Sequence, residues 1–375
     1  MLEARLAQLS GLKTMSALPS VADFNTSLPM PGGLIEGPDV WTGKELSQHQ
    51  DWLYELSGDE ISGLDQALAD VKASGTDIID VTRENFSVGA FAEPVKQLRE
   101  EILRGRGFVL LRGLPAEKYS FSDVATIYYG IGKHLGVPVS QNAMGHVLGH
   151  VIDIGRDDDD PTARTYQTNV RQFYHSDSCD IVGLMCWRKA KRGGFSTIVS
   201  SVAVYNEMYR RSPELTAELF KPQYFDRRGE VPPGMPSWYR MPIFNWCDGR
   251  LSTHYVRRYI VSARRLDDVP PLTDTEIAAF DMLDQIMDDP DFHLSMDFAP
   301  GDMQFLHNPQ ILHDRTGFDD FEVPEQRRHL LRLWLCATDG RELPECYAQR
   351  WGSHEPAMRG GIVVAGQKQV APLEP

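Results

Sequence analysis

The sequence predicts a mixed α/β protein with a mainly β core: a double-stranded β-helix (jelly roll, cupin-like) with flanking helices and an N-terminal extension. Three observations predict it. From about residue 95, short apolar or alternating runs recur between Gly and Pro turns, the pattern of many short strands. Helical periodicity is confined to a few segments between those runs, with no βαβ alternation and no internal repeat. The hydrophobic share of 42% in 375 residues supplies one sizeable interior.

Taken in order, residues 1 to about 90 are rich in Pro, Gly, Ser and Asp, carry one helical stretch near Glu60 to Val71, and read as an extension or lid. The core domain runs over 91–340 with an insertion at about 221–271, and 341–375 is a tail. Val95, Leu98 and Ile102 share one helix face, ended by Gly105 and Gly107. Phe108 to Leu111 reads as a buried strand. A second helix after Ser120 turns Val124, Ile127, Tyr128, Ile131 and Leu135 inward. Its GIGKHLG stretch is no dinucleotide loop, because the glycines lie inside a helical pattern with no strand before them. The acidic run Asp157 to Asp160 reads as a solvated loop, since no EF-hand spacing follows.

Ile181 to Trp187 and Ser196 to Ser200 are strand-like, and helices follow from Ser201 and from Ser212-Pro213. Asp248-Gly249 predicts a hairpin turn between Pro242 to Cys247 and Leu251 to Val256. Thr273 and Glu276 form a capping-box pair that opens a helix carrying Ile277, Phe280, Leu283 and Met287. Met303 to Leu306 and Arg328 to Leu335 are the last strands.

With 38 Lys+Arg against 53 Asp+Glu, the formal net charge of −15 disfavours non-specific attraction to nucleic acid or to anionic membranes, and an anionic ligand needs a local basic pocket. The five cysteines form no C-x-x-C pair and read as reduced. No run approaches the roughly 18 apolar residues of a membrane span, and the first fifteen residues lack a continuous signal-peptide core. A cytoplasmic protein with a small-molecule partner is expected, with a homo-oligomer left open.

The chemistry concentrates at Tyr174-His175-Ser176-Asp177. Residues two apart in an extended segment point to one side, so His175 and Asp177 can share a metal ion. A second H-x-D, His49-Gln50-Asp51, lies in the polar extension with no strand after it. His175 instead stands before a core strand and has a downstream partner in His313. Two imidazoles and one carboxylate on one face of an octahedral metal leave three positions open, the arrangement of non-haem iron(II) oxygenases. A hydrolytic zinc site uses the same ligand types.

HSD at 175–177, GGFSTIVSS at 193–201, and HDRTGF followed by RRHLLRLWL at 313–335 resemble the taurine dioxygenase (TauD/TfdA) family over about residues 95–340. The resemblance implies a 2-oxoglutarate-dependent dioxygenase of the EC 1.14.11 type with iron(II) on His175, Asp177 and His313. Arg328 would anchor 2-oxoglutarate together with a hydroxyl at Ser196 or, one residue on, Thr197. It also implies dioxygen as oxidant, succinate and carbon dioxide as products, and hydroxylation, desaturation or cyclisation of a small organic substrate. Asp177 argues against halogenation, which in such enzymes usually needs a small residue there.

A guanidinium fork suits a dicarboxylate. Arg328 and Arg332 lie four apart and share a face if no bulge intervenes, so Arg332 assists the anchor or meets an anionic substrate. Asn169, Gln172, Tyr174 and His146 are further pocket candidates, and Arg315 is a candidate for orienting the ligand loop. The competing readings are a metal-dependent hydrolase, which has no need of the GG-x-S and RR-x-x-x-R elements, and a non-catalytic cupin-like binding protein, which would tolerate loss of the metal ligands.

Overall fold

A computed structural model describes residues 27–157, 164–232, 234–362 and 366–375. The reading of the first fifteen residues and most of the run Asp157 to Asp160 fall outside them. In chain order the first elements are α1 (Gly43–Leu46), β1 (Leu53–Glu55), α2 (Gly58–Ser74), α3 (Ala92–Arg104), β2 (Phe108–Arg112), α4 (Phe121–Leu135), β3 (Val137–Pro138) and β4 (Leu148–Val151). There follow β5 (Gln172–His175), β6 (Ile181–Arg188), β7 (Arg192–Gly193), β8 (Ser196–Ser200), α5 (Ser201–Arg211), α6 (Pro213–Glu218), β9 (Gln223–Asp226) and β10 (Trp238–Met241). Then come β11 (Phe244–Cys247), β12 (Arg250–Thr253), α7 (Arg257–Ala263), α8 (Asp274–Asp288), β13 (Leu294–Met296), β14 (Met303–His307), β15 (Ile311–Arg315), β16 (Phe318–Asp319), β17 (His329–Cys336) and α9 (Ala348–Trp351).

Local chemistry accounts for the boundaries. Thr273 caps α8 in a reciprocal box with Glu276, and Ser57 does the same for α2 with Glu60. The β11–β12 hairpin turns on Asp248 and Gly249, both at positive φ (48° and 69°), as the favoured two-residue turn requires.

Two sheets face each other. The larger runs β1-β2-β14-β6-β17-β3, with β4 also on β17; the smaller runs β13-β8-β15-β5. Between them lie Phe108, Leu110, Val182, Cys186, Leu306, Leu330 and Trp334 from the larger sheet and Ile198, Leu294, Met296 and Ile311 from the smaller. Helices α2, α3 and α4 cover the outer face of the larger sheet, packing Leu64, Ile102 and Tyr128 against Val109, Phe305 and Leu333. Helices α5 and α8 cover the outer face of the smaller sheet through Val204, Phe280 and Leu283 against Val199 and Leu312. The protein is thus a mixed α/β structure, mainly sheet.

Parts of the extension and tail join these layers. Strand β1 pairs in parallel with β2. In the tail, Leu343, Tyr347 and Trp351 enter the cluster beneath the smaller sheet, and Val370 bridges to His146.

Candidate active site

His175 closes β5 and His313 sits at the centre of β15, and the antiparallel register pairs them directly. Their ring centroids are 4.2 Å apart. Beyond this pair β5 carries one extra residue, since Arg315 pairs with Gln172, three residues before His175. Such a bulge re-aims side chains, and here it brings the Gln172 amide within 2.9 Å of His175 Nε2. Asp177 follows the strand. Its carboxylate oxygens lie 3.9 Å from His175 Nε2 and 3.7 Å from His313 Nε2, and one donor atom from each of the three residues falls within 4.8 Å of the others.

The surroundings fix these donors. The Phe173 carbonyl lies 2.9 Å from His175 Nδ1, so Nδ1 carries the proton and Nε2 is left as the donor atom. Burial, and His313 beside it, push the His175 pKa down to about 3, so the ring is neutral. Burial opposes ionisation of Asp177, yet Arg332 and the two imidazoles hold its carboxyl well below the usual carboxylate range. The Trp334 indole N–H donates to Asp177 Oδ2 at 2.8 Å. Asn308 secures the loop, accepting from the Asp177 N–H and donating to the carbonyls of Asp177 and Cys179. Two imidazoles with one pinned carboxylate fit a divalent first-row metal.

Arg328 is buried, and burial lowers its pKa to about 10, still a cation at neutral pH. Its NH2 donates only to the Gly194 carbonyl, at 3.4 Å, and its NH1 is buried without a hydrogen-bond partner. The paired glycines make room for it: a Cβ on Gly194, at φ +72°, would stand 2.8 Å from Arg328 Nε. A buried guanidinium with an unanswered N–H fits a carboxylate ligand. The register irregularity on β17 falls in its partner, because His329 pairs with Arg188 and Leu330 with Cys186, leaving Trp187 over. Strand β17 therefore keeps its alternation, and Arg328, Leu330, Arg332 and Trp334 all face the inter-sheet space.

Register also separates the two hydroxyl candidates. Ser196 pairs with Arg315 and shares the face of His313, with its Oγ 3.2 Å from Gln304 Oε1. Thr197 pairs with Asp314 on the opposite face and donates to that carboxylate at 2.9 Å. Thr197 thus points away from the side that carries His313, since one step along a strand reverses the side chain.

A cavity of about 500 Å³ opens beside the metal-ligand cluster, with His175, Asp177, Arg332 and Trp334 in its wall. Gln172 and Tyr174 line it. Asn169 and His146 do not: Asn169 is exposed and its carbonyl accepts from the Phe318 N–H, while His146 sits where the chain meets Val370. Arg315 is also outside the cavity lining and holds the carbonyls of Thr168 and Val170 ahead of β5. Arg332 donates to Gln141 Oε1 at 2.7 Å and lies over the Tyr166 and Trp334 rings.

Sequence reasoning missed Asn308, Gln141, Trp334, Tyr239, His254, Glu230 and Arg350. Trp334 carried a signal, being two residues beyond Arg332 on an alternating strand. The remainder come together only through tertiary folding.

Comparison with known proteins agrees with this geometry. The sequence model of the family described as taurine catabolism dioxygenase TauD, TfdA family matches residues 71–334. FR-33289 synthase of Streptomyces rubellomurinus (strain ATCC 31215) is 31% identical over 322 residues, covering 85% of this chain and 95% of the relative. A uridine-5'-phosphate dioxygenase of Amycolatopsis sp is 29% identical over 183 residues, 46% of this chain and 64% of that protein. In fold, asparagine oxygenase in complex with Fe(II), 3-hydroxyasparagine and succinate superposes with a TM-score of 0.59 at 14% identity, covering 76% of this chain and 93% of the other. The non-heme iron oxygenase OrfP with Fe and alpha-ketoglutaric acid gives 0.56 at 16% identity, covering 76% and 93%.

Proposed function

The chain belongs to the TauD/TfdA dioxygenase family and is an iron(II)- and 2-oxoglutarate-dependent dioxygenase, and from that premise we propose the residues that carry the reaction and the class of substrate. Iron(II) is held by His175, Asp177 and His313. Arg328, with Ser196 turned into the same inter-sheet space from the smaller sheet, anchors the distal carboxylate of 2-oxoglutarate. The orphaned, buried NH1 of Arg328 is the observation that carries the co-substrate assignment, because a buried cation without a carboxylate is costly until a ligand supplies one. The two facing sheets are the double-stranded β-helix of this reading, and the catalytic unit extends beyond 91–340 to include the helices and tail packed against it.

The bound iron, co-substrate and dioxygen supply oxidative decarboxylation to succinate and carbon dioxide coupled to hydroxylation of a substrate C–H bond. The chain supplies placement. Trp334 and Asn308 fix the Asp177 loop, the Phe173 carbonyl sets the His175 tautomer, and the sheet register sets His313 opposite His175. Gln141 holds Arg332 against the Asp177 carboxylate, at 3.6 Å, where the guanidinium keeps that ligand ionised. Trp334 and Tyr166 cover the charged groups and limit water.

The substrate is a small organic molecule in the cavity beside His175 and Asp177. One relative's name specifies uridine-5'-phosphate, and Arg332 in the cavity wall suits an anionic substrate. Among the described residues no helix is long and apolar enough to cross a membrane, and a cytoplasmic setting belongs to the same proposal. The test is stoichiometry: iron-loaded enzyme given 2-oxoglutarate and oxygen should release succinate and carbon dioxide in equal amounts. Consumption of neither 2-oxoglutarate nor oxygen, alongside metal-dependent hydrolysis of an ester or amide, would favour the hydrolase instead.

A further inference from the structure

Two arginines meet on one carboxylate in the cavity wall. Arg164 NH2 lies 2.6 Å from Glu230 Oε1, and Arg350 NH2 lies 3.2 Å from Glu230 Oε2. The Arg350 and Glu230 side chains are only 7% and 10% exposed, so this triad is largely dry. The other partners are neutral: Arg164 NH1 donates to the Tyr259 hydroxyl, and Arg350 Nε donates to Ser178 Oγ at 3.1 Å. Arg350 also stands over the Tyr239 ring. Among the described residues, the remaining carboxylates of the cavity wall are committed elsewhere, Asp177 to the metal-ligand cluster and Asp284 to Arg257 and the Tyr255 hydroxyl.

Two cations share one anion, which leaves about one positive charge in a poorly solvated wall. Uncompensated buried charge is costly, and an oxyanion arriving in the cavity would relieve it. The effect of Arg350 on its surroundings is visible at His254, where burial and then the Arg350 charge push the pKa down to about 3. Arg350 comes from α9, outside the 71–334 span that the family model matches, whereas Arg164 and Glu230 lie within it.

We propose that Arg350 and Arg164, bridged by Glu230, form a substrate-recognising arm that takes a carboxylate or phosphoryl oxyanion of the substrate, separate from the 2-oxoglutarate anchor and from Arg332. The inference rests on the dioxygenase reading of the same pocket and deepens it. Glu230 sets the arm's net charge, and Arg350 contributes both charge and its contact beside the metal loop.

The probe is inorganic phosphate, titrated into the full chain freed of metal, with thermal midpoint and binding calorimetry read against chloride of equal ionic strength. Wild type should show a phosphate-specific shift. Arg350→Gln should weaken phosphate about tenfold and Arg350→Lys less. Glu230→Gln, which leaves both cations unopposed, should tighten it several-fold. The opposite signs keep the test informative if one variant fails to fold. Absence of a phosphate-specific effect in wild type, or Glu230→Gln binding phosphate no more tightly, overturns the proposal. In parallel, 2-oxoglutarate binding to wild type is measured anaerobically with iron(II). Loss of 2-oxoglutarate binding in wild type itself would instead strike the dioxygenase reading, so the two failures are distinct.

Discussion

Arg328 and Gly194 are a matched pair: the guanidinium lies where any side chain on residue 194 would stand. Removing the cation in Arg328→Ala takes away a charge-assisted contact of about 2–3 kcal/mol. The Kd for 2-oxoglutarate, measured with iron(II) under anaerobic conditions, should therefore rise roughly 30- to 150-fold, and an unchanged Kd would move the anchor elsewhere. Gly194→Ala acts indirectly. Its added Cβ must displace Arg328, and a non-glycine residue at positive φ costs about 1–2 kcal/mol, so both thermal stability and 2-oxoglutarate affinity should fall. An affinity equal to wild type would show that Arg328 does not need its present position. At this scale the sequence was informative where chemistry is local. His175 and Asp177 share a side because they lie two apart at a strand's end. Ser196 and Thr197 were not separable, because the choice depends on pairing with residues 314 and 315, more than a hundred positions away.

Strands β17 and β4 carry a buried histidine pair, with His150 Nδ1 2.8 Å from His329 Nε2. His150 Nε2 lies 3.0 Å from the Pro372 carbonyl, tying the last residues to the sheet. Burial, then His150, Arg188 and Arg328, push the His329 pKa down to about 3 from the ordinary 6.5. Between those values the unfolded chain binds more protons than the folded one, so folding stability declines as pH falls from about 6.5 toward 3. Thermal midpoints across that window should drop more steeply in wild type than in His329→Gln, and identical profiles would remove the pair as a source of acid sensitivity. Elements were legible where their signals are contiguous: the capping box of α8, the Asp-Gly hairpin and the apolar runs of β2, β6 and β17 all lie where the pattern sets them. The C-terminal segment offered no such signal. Its contribution is a few residues, Val370 and Pro372 among them, whose value depends on what they dock against.

At the scale of the whole molecule, the C-terminal tail closes on the metal loop. Residues 178–180, directly after Asp177, are gripped by the tail: Arg359 Nε donates to Asp180 at 2.9 Å in a fully buried ion pair, Arg350 reaches Ser178, and the Gly361 N–H donates to the Ser178 carbonyl. Arg359→Ala would strand the Asp180 carboxylate at a cost of about 3–5 kcal/mol. It should lower the thermal midpoint by several degrees and weaken iron(II) binding together, whereas lost stability with unchanged iron affinity would uncouple tail from site. Composition bounded this scale only loosely. A net charge of −15 gives no hint of a cavity wall carrying Arg164, Arg332 and Arg350, because folding collects residues that the sequence scatters. The central claim is that His175, Asp177 and His313 hold one iron that 2-oxoglutarate also reaches. Anaerobic titration of the full chain with iron(II) and 2-oxoglutarate, followed in the visible spectrum, tests it most directly. The account predicts one iron per chain and a weak charge-transfer band that appears only with both additions and is lost in His313→Ala; no band in wild type, or an undiminished band in that variant, would contradict it.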